Sequence, residues 1–189
     1  MSARIAVVSA GLGTPSSTRL IADRLVTAVV AELGPTTEVE VVELPEHARE
    51  LADNLVTGFA PASLRAAVDA VTGADGLIAV TPVFSGSYSG LFKTFFDVLD
   101  KQALEGQPVL LAATAGTARH SLVLEHALRP LFSYLRAAPV PTGVFAAPED
   151  WASVAGPSGA LADRIVRAAR ELADAVSPRP GRGVRPWGE

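Results

Sequence analysis

Three short stretches of this chain concentrate small and hydroxyl-bearing residues. They are Ser9-Ala10-Gly11-Leu12-Gly13-Thr14-Pro15-Ser16-Ser17-Thr18, then Phe84-Ser85-Gly86-Ser87-Tyr88-Ser89-Gly90, then Thr114-Ala115-Gly116-Thr117-Ala118-Arg119-His120. The chain has no cysteine, which removes disulfide, iron–sulfur and thiolate chemistry. Its histidines, His47, His120 and His126, lack metal-ligand spacing. What remains is the chemistry of hydroxyls, glycines and main-chain N–H groups, which hold anions and planar rings. In the first stretch Gly11 and Gly13 allow close backbone approach, and Ser9, Ser16, Ser17 and Thr18 offer hydroxyls. Free N–H groups and the dipole at a helix start favour a phosphate there. A helix cap would account for one hydroxyl but not four. The Lys-Ser/Thr ending of a Walker loop is missing, and Ser16 stands where a dinucleotide fingerprint has its third glycine.

In the second stretch, Ser85, Gly86, Ser87, Ser89 and Gly90 let the main chain lie against a flat ligand, whose polar edge N–H and C=O groups can read. Phe84 and Tyr88 either flank that ring, or Phe84 is core and Tyr88 is surface. The run Gly86-Ser87-Tyr88-Ser89-Gly90 has tyrosine at its centre, so it is not a nucleophile elbow. The third stretch extends the same rim with Thr114, Ala115, Gly116 and Thr117. Arg119 reads either as a contact for the phosphate of a second nucleotide or as a solvated surface residue. His120 reads as a helix cap or a ligand contact, and His47 and His126 read as structural.

The elements that must position these stretches follow from hydrophobic period and turn residues. Apolar runs at residues 5–8, 37–44, 76–80, 108–113 and 140–146 predict five strands. Between them lie helical patterns at 16–33, 61–71, 90–99, 121–135 and 158–176, with a short helix or irregular crossover at 45–56. The first carries Leu20, Ile21, Leu25, Val29 and Leu33 at helical spacing and stops at Gly34-Pro35. Pro130 marks a bend or break in the fourth. Continuous apolar strands alternating with helices imply a parallel sheet covered on both faces. The expected class is α/β, a flavodoxin-like three-layer α/β/α arrangement with a five-stranded parallel sheet in the order 2-1-3-4-5. Ligands of such sheets bind beyond the carboxyl ends of strands 1 and 3, where the first two stretches fall. The helix at 90–99 is apolar over more than one face. It therefore covers the sheet, or lends part of itself to another subunit. Lys93 and Asp97 on it can pair four residues apart or reach across such an interface.

Taken together, residues 9–25, 81–99 and 113–135 resemble the NAD(P)H-dependent FMN reductases of the flavodoxin-like superfamily, in particular the reductase components of two-component luciferase-like or alkanesulfonate-type monooxygenases. The resemblance spans nearly the whole chain apart from its last residues, and the middle motif is the most specific. It implies that FMN is held through its phosphate by Ser9, Gly11, Ser16, Ser17 and Thr18. It further implies that the flavin ring meets Pro82, Val83, Phe84, Ser85, Ser87, Tyr88 and Ser89, and that Thr114, Ala115, Gly116 and Thr117 complete the site. NADPH or NADH would donate the hydride, and no residue of the chain is expected to act as a catalytic acid or base. Two departures stand out. Thr14 replaces an arginine that related loops often carry, which leaves hydroxyls and N–H groups, helped by Arg19, to hold the phosphate. Phe84 stands where tyrosine is frequent. The resemblance also implies a homodimer or homotetramer and a partner flavin-dependent monooxygenase. Rival readings of the same loops are a quinone or azo-dye reductase, a flavodoxin-type electron carrier and a flavin-sensing module.

The bulk composition agrees with a folded globular protein. A chain of 189 residues, 49% of them hydrophobic, suits a single domain with a full core. We expect it over residues 1–176, followed by a flexible Pro/Gly/Arg-rich tail at 177–189. The net charge of -4 argues against a nucleic-acid partner. No run approaches the roughly 20 apolar residues of a membrane helix, and the apolar run that follows Arg4 is too short for a signal-peptide core. The expected location is the cytoplasm.

Overall fold

Strand residues divide between two cores by simple alternation, because successive side chains of a strand point to opposite faces. Ala6, Val8, Leu77, Ala79, Val109 and Leu111 enter one buried cluster. Their neighbours Ile5, Val7, Ile78, Val80, Leu110 and Ala112 enter the other. The computed structural model, which describes residues 2–151 and 157–176, places these side chains on β1 (Arg4–Ser9), β3 (Gly76–Phe84) and β5 (Pro108–Thr114). Helices α1 (Ser17–Leu33) and α6 (Gly159–Ala175) close the second cluster. Helices α3 (Ala62–Gly73), α4 (Gly90–Asp97) and α5 (Arg129–Tyr134) close the first, with Leu51 of α2 (Ala48–Thr57). Leu20, counted with the apolar stripe of α1, is exposed, and Ala22 is buried instead.

The sheet runs β2-β1-β3-β5 in parallel, with β2 at Glu38–Glu43. This is the expected 2-1-3-4 order, and the three-layer class holds. The fifth position departs from expectation. In place of one strand over 140–146, β6 (Ala138–Pro139) and β7 (Val144–Ala146) each pair in parallel with β5. Pro139 and Pro141 have no N–H to donate and interrupt the ladder. The gap is held from outside, where Glu171 of α6 accepts bonds from the Thr142 N–H (2.6 Å) and hydroxyl (2.7 Å). A further strand, β4 (Ser87–Tyr88), folds back antiparallel on the end of β3. The sheet therefore has seven strands where five were expected.

The expected helix over 121–135 also breaks. Residues Leu124–Leu128 form a π-helical turn, with the Arg129 N–H bonded to the Leu124 carbonyl, and α5 starts at Arg129. Pro130 cannot donate the α-helical bond to residue 126, so the widened turn sits where that bond would be lost. Helix α4 buries Phe92, Phe95 and Phe96 within the chain itself, which bears out the simpler reading that it covers the sheet. Lys93 and Asp97 pair with each other. No helix among the described residues is long and apolar enough to cross a membrane. The tail expected over 177–189 lies outside the described residues.

Candidate functional site

The register brings the three hydroxyl-rich stretches to one rim. Ser9 ends β1 opposite Val80 of β3. Two residues later Pro82 lies opposite Thr114, the last residue of β5. β1 leaves the sheet after Ser9, and its last tie is the Ala10 N–H to the Val80 carbonyl at 3.1 Å. Pro82 points its nitrogen to the same side as that carbonyl, because backbone groups two residues apart in a strand face the same way. The neighbour on that side has gone, so the missing N–H of proline costs no ladder bond. Proline can therefore sit inside a central parallel strand only here, where the sheet splits open.

The loop after β1 turns tightly into α1. Ser16 is the N-cap, its Oγ accepting from the Arg19 N–H at 3.1 Å, and the Leu20 N–H bonds the Ser16 carbonyl at 3.0 Å. The N–H groups of Ser17 and Thr18 are left without a partner among the described residues, as the first groups of a helix are. Gly11 packs directly on this turn. A Cβ there would lie 2.0 Å from Ser16 Oγ and 3.0 Å from Thr18 Cβ. Ser9 Oγ is fully buried and has no hydrogen-bond partner. A partnerless buried hydroxyl, the first N–H groups of a helix and a turn that an added Cβ would crowd form an arrangement that can hold a phosphate.

Arg19, expected to assist that phosphate, is engaged elsewhere. Its guanidinium pairs with Asp23 (2.7 Å) and with Glu43 of β2. The bond to Asp23, then that to Glu43, holds it above the ordinary arginine range. The site at α1 is therefore built from hydroxyls and N–H groups.

The loop after β3 is a two-residue hairpin. Ser85 (φ 50°) and Gly86 (φ 82°) both have positive φ, the pairing that matches a turn to twisted strands. Phe84 stands out from it, 47% exposed, while Tyr88 packs inward with its ring 6.0 Å from that of Phe92. This reverses the alternative in which Phe84 was core and Tyr88 surface, and it leaves Phe84 as the aromatic at the rim. Val83 is half-buried and paired with Tyr88, and Ser87 is paired with Phe84. Ser89 is buried and caps α4, its Oγ accepting from Phe92 N–H (3.2 Å). Thr81, which sequence reading passed over as a site residue, ties the loop together. Its Oγ accepts from the Ser89 N–H (3.0 Å) and donates to the Pro82 carbonyl (2.9 Å). A threonine directly before proline at a strand end was the available signal.

The loop after β5 is locked to the phosphate cradle by one contact. Thr114 and Thr18, both buried, share a hydroxyl hydrogen bond of 2.9 Å. Thr114, expected to contact the ligand, also meets α1. Ala115 donates its N–H to Ala146 of β7 (3.1 Å), Gly116 is exposed, and Thr117 caps the short turn Ala118–His120. His47 is structural, its Nδ1 lying 2.7 Å from Glu50 at the start of α2. Replacing Thr114 with valine strands a buried hydroxyl on Thr18, and should cost about 1–2 kcal/mol. Thr114→Ser should recover most of that in urea unfolding, and equal loss in both variants would contradict a role for the hydroxyl.

The sequence profile described as NADPH-dependent FMN reductase matches residues 3–152. An FMN reductase (NADPH) of Pseudomonas aeruginosa is 43% identical over 172 residues, 90% of each chain. The NADH-dependent FMN reductase SfnF of Pseudomonas fluorescens is 42% identical over 185 residues, 97% of this chain and 95% of its own. Among solved structures, an oxidoreductase from Corynebacterium diphtheriae superposes with a TM-score of 0.87 at 51% identity, covering 93% of this chain and 97% of that one.

Proposed function

The chain belongs to the NADPH-dependent FMN reductase family, and from that premise we propose that it transfers hydride from NADPH or NADH to FMN and releases reduced flavin to a partner flavin-dependent monooxygenase. The observation that carries the reading is the cradle at the start of α1. The buried, partnerless Ser9 hydroxyl and the free N–H groups of Ser17 and Thr18 lie around a turn that a Cβ at Gly11 would crowd. These groups fit a phosphate monoester without requiring a cation.

Bound there, FMN supplies the ring that accepts a hydride from a reduced nicotinamide. The chain's own residues bind, orient and shield. Ser9, Ser16, Ser17 and Thr18 hold the phosphate through hydroxyl and N–H donors. The main chain of Pro82, Val83, Ser85, Ser87 and Ser89 borders the ring, held in shape by Thr81. Phe84 offers an apolar side at the mouth and limits water there. Ala115, Gly116 and Thr117 close the third side, kept in register by Thr114. No acid or base is needed among them, because the task of the protein is to hold two reactants at near-attack distance.

Leu12 and Phe84, on the loops after β1 and β3, are exposed, which suits a flavin that enters, is reduced and leaves. A homodimer or homotetramer belongs to the same reading. It is supported by the exposed apolar residues Leu55, Val56 and Phe59 at the end of α2, and sedimentation at micromolar concentration tests it. Residues 1–176 act as a single domain in this reading. The same reading expects the reaction in the cytoplasm, where reduced nicotinamide nucleotides are supplied. The test is anaerobic mixing of FMN-loaded protein with NADPH and with NADH. Loss of the visible flavin absorption with at least one donor is expected, and no bleaching with either would overturn the proposal.

A further inference from the structure

The donor of this reaction is itself a polyanion. A nicotinamide dinucleotide carries a pyrophosphate, and NADPH adds a 2′-phosphate, so its docking at the rim calls for a cation that is free to meet it. The cations on the loops and first turns that follow β1, β3, β5 and β7 are few. Arg19 is committed to Asp23 and Glu43. Lys93 is committed to Asp97. Between β7 and α6, residues 147–158 contain no lysine or arginine. Arg119, in the turn Ala118–His120 after β5, is exposed, and its guanidinium has no ion pair or hydrogen bond among the described residues.

The turn that carries Arg119 is firmly set. Thr117 Oγ accepts from the Arg119 N–H, the Ser121 N–H bonds the Ala118 carbonyl (3.1 Å), and Glu149 accepts from the Ala118 N–H (3.3 Å). Glu149 thus spends one carboxylate oxygen on the backbone beside Arg119 and makes no ion pair with it. The strand before the turn is fixed to the flavin cradle through Thr114 and Thr18. The result is a free guanidinium on a fixed stem beside the ring loop. It stands on the β5 side of the rim, whereas the phosphate cradle stands on the β1 side.

We propose that Arg119 is the residue that docks the phosphate of the nicotinamide donor. The assignment rests on the reductase reading above, and it separates the two anions of the reaction: the FMN phosphate goes to the N–H cradle of α1 and the donor phosphate to Arg119. The contact is made equally in ground and transition states, so it acts on KM rather than kcat.

The experiment compares Arg119→Gln, Arg119→Glu and Arg119→Lys with Arg164→Gln, a control on the exposed side of α6. In steady state, Arg119→Gln is expected to raise the donor KM by about tenfold with kcat within about twofold. Arg119→Glu should raise it further, and Arg119→Lys should recover part of the loss. Calorimetry with the oxidised nucleotides NADP+ and NAD+ on FMN-loaded protein should show the same weakening without turnover, while FMN affinity stays unchanged. An equal loss for both nucleotides assigns the contact to the pyrophosphate, and a loss confined to NADPH and NADP+ assigns it to the 2′-phosphate. An unchanged donor KM, or a matching fall in FMN affinity, would overturn the proposal. If the wild type binds NADP+ through Arg119 but does not bleach, the docking assignment stands and the reductase reading falls. If it neither binds the oxidised nucleotides nor oxidises the reduced ones, both fall.

Discussion

Gly11→Ala is expected to lower FMN affinity about a hundredfold while leaving the protein folded. The added Cβ would lie 2.0 Å from Ser16 Oγ and 3.0 Å from Thr18 Cβ, closer than packed atoms approach. Gly11 is not in the left-handed region, so the cost is one of space alone. Ser16 must rotate away, which removes its cap on the Arg19 N–H and shifts the first turn of α1. Loss of an N-cap costs about 1 kcal/mol, against a total stability of about 5–15 kcal/mol for a domain, so the fold survives. The ligand fares worse. Two charge-assisted hydrogen bonds to its phosphate, at about 1.5 kcal/mol each, amount to about a hundredfold in binding. Quenching of flavin fluorescence on titration measures this directly. Gly73→Ala, at the end of α3 away from the rim, whose Cβ would meet nothing within 4 Å, serves as the neutral comparison. Unchanged affinity in Gly11→Ala would mean that the phosphate does not bind at this turn.

Phe96→Ala is expected to have the largest effect on stability, about 3–5 kcal/mol. Its ring lies at the centre of an aromatic cluster. Centroid distances are 4.7 Å to Phe92, 4.9 Å to Phe132 and 5.3 Å to Phe95, with the last two contacts edge-on. Only 2% of the residue is exposed, so truncation leaves a cavity with little chance of collapse. The midpoint of thermal unfolding should fall by about 10 °C. Phe96→Leu, which keeps most of the volume, should cost under about 1.5 kcal/mol. The cluster also bears on function. Phe92 links it to Tyr88, and Tyr88 pairs with Val83 in the hairpin after β3, which the proposed function sets against the flavin ring. Equal stability of Phe96→Ala and wild type in urea would contradict this account of the core.

Much of this architecture can be read from the chain because parallel strands buried on both faces leave continuous apolar runs. Residues 5–8, 76–80 and 108–113 could hardly be anything else, and their order in the sheet follows from how β-loop-α units connect. The switch point between β1 and β3 followed from the same logic, whereas which of Ser16, Ser17 and Thr18 caps α1 was settled only by the fold. What stayed hidden depends on contacts between segments far apart in sequence. The division of the last strand turns on Pro139, Pro141 and the hold of Glu171 on Thr142, 29 residues away. The π-helical turn is a local response to Pro130 whose form composition does not set. The exchange of places between Phe84 and Tyr88 follows from a hairpin that extends β3 past Pro82, where proline seemed to end it. Arg19 looked free for a phosphate until β2 brought Glu43 beside it. The tie between Thr114 and Thr18 likewise appears only when β5 and α1 meet in the fold.

The central claim is that the loops after β1, β3 and β5 form a single seat for a flavin whose phosphate is held at the start of α1. Calorimetric titration of the purified chain with FMN and, in parallel, with riboflavin tests it most directly. The account predicts saturable one-to-one binding of FMN and at least about a hundredfold weaker binding of riboflavin, which has the ring but no phosphate, the weight of about two charge-assisted bonds. No saturable heat with FMN, or equal affinity for the two flavins, would contradict it.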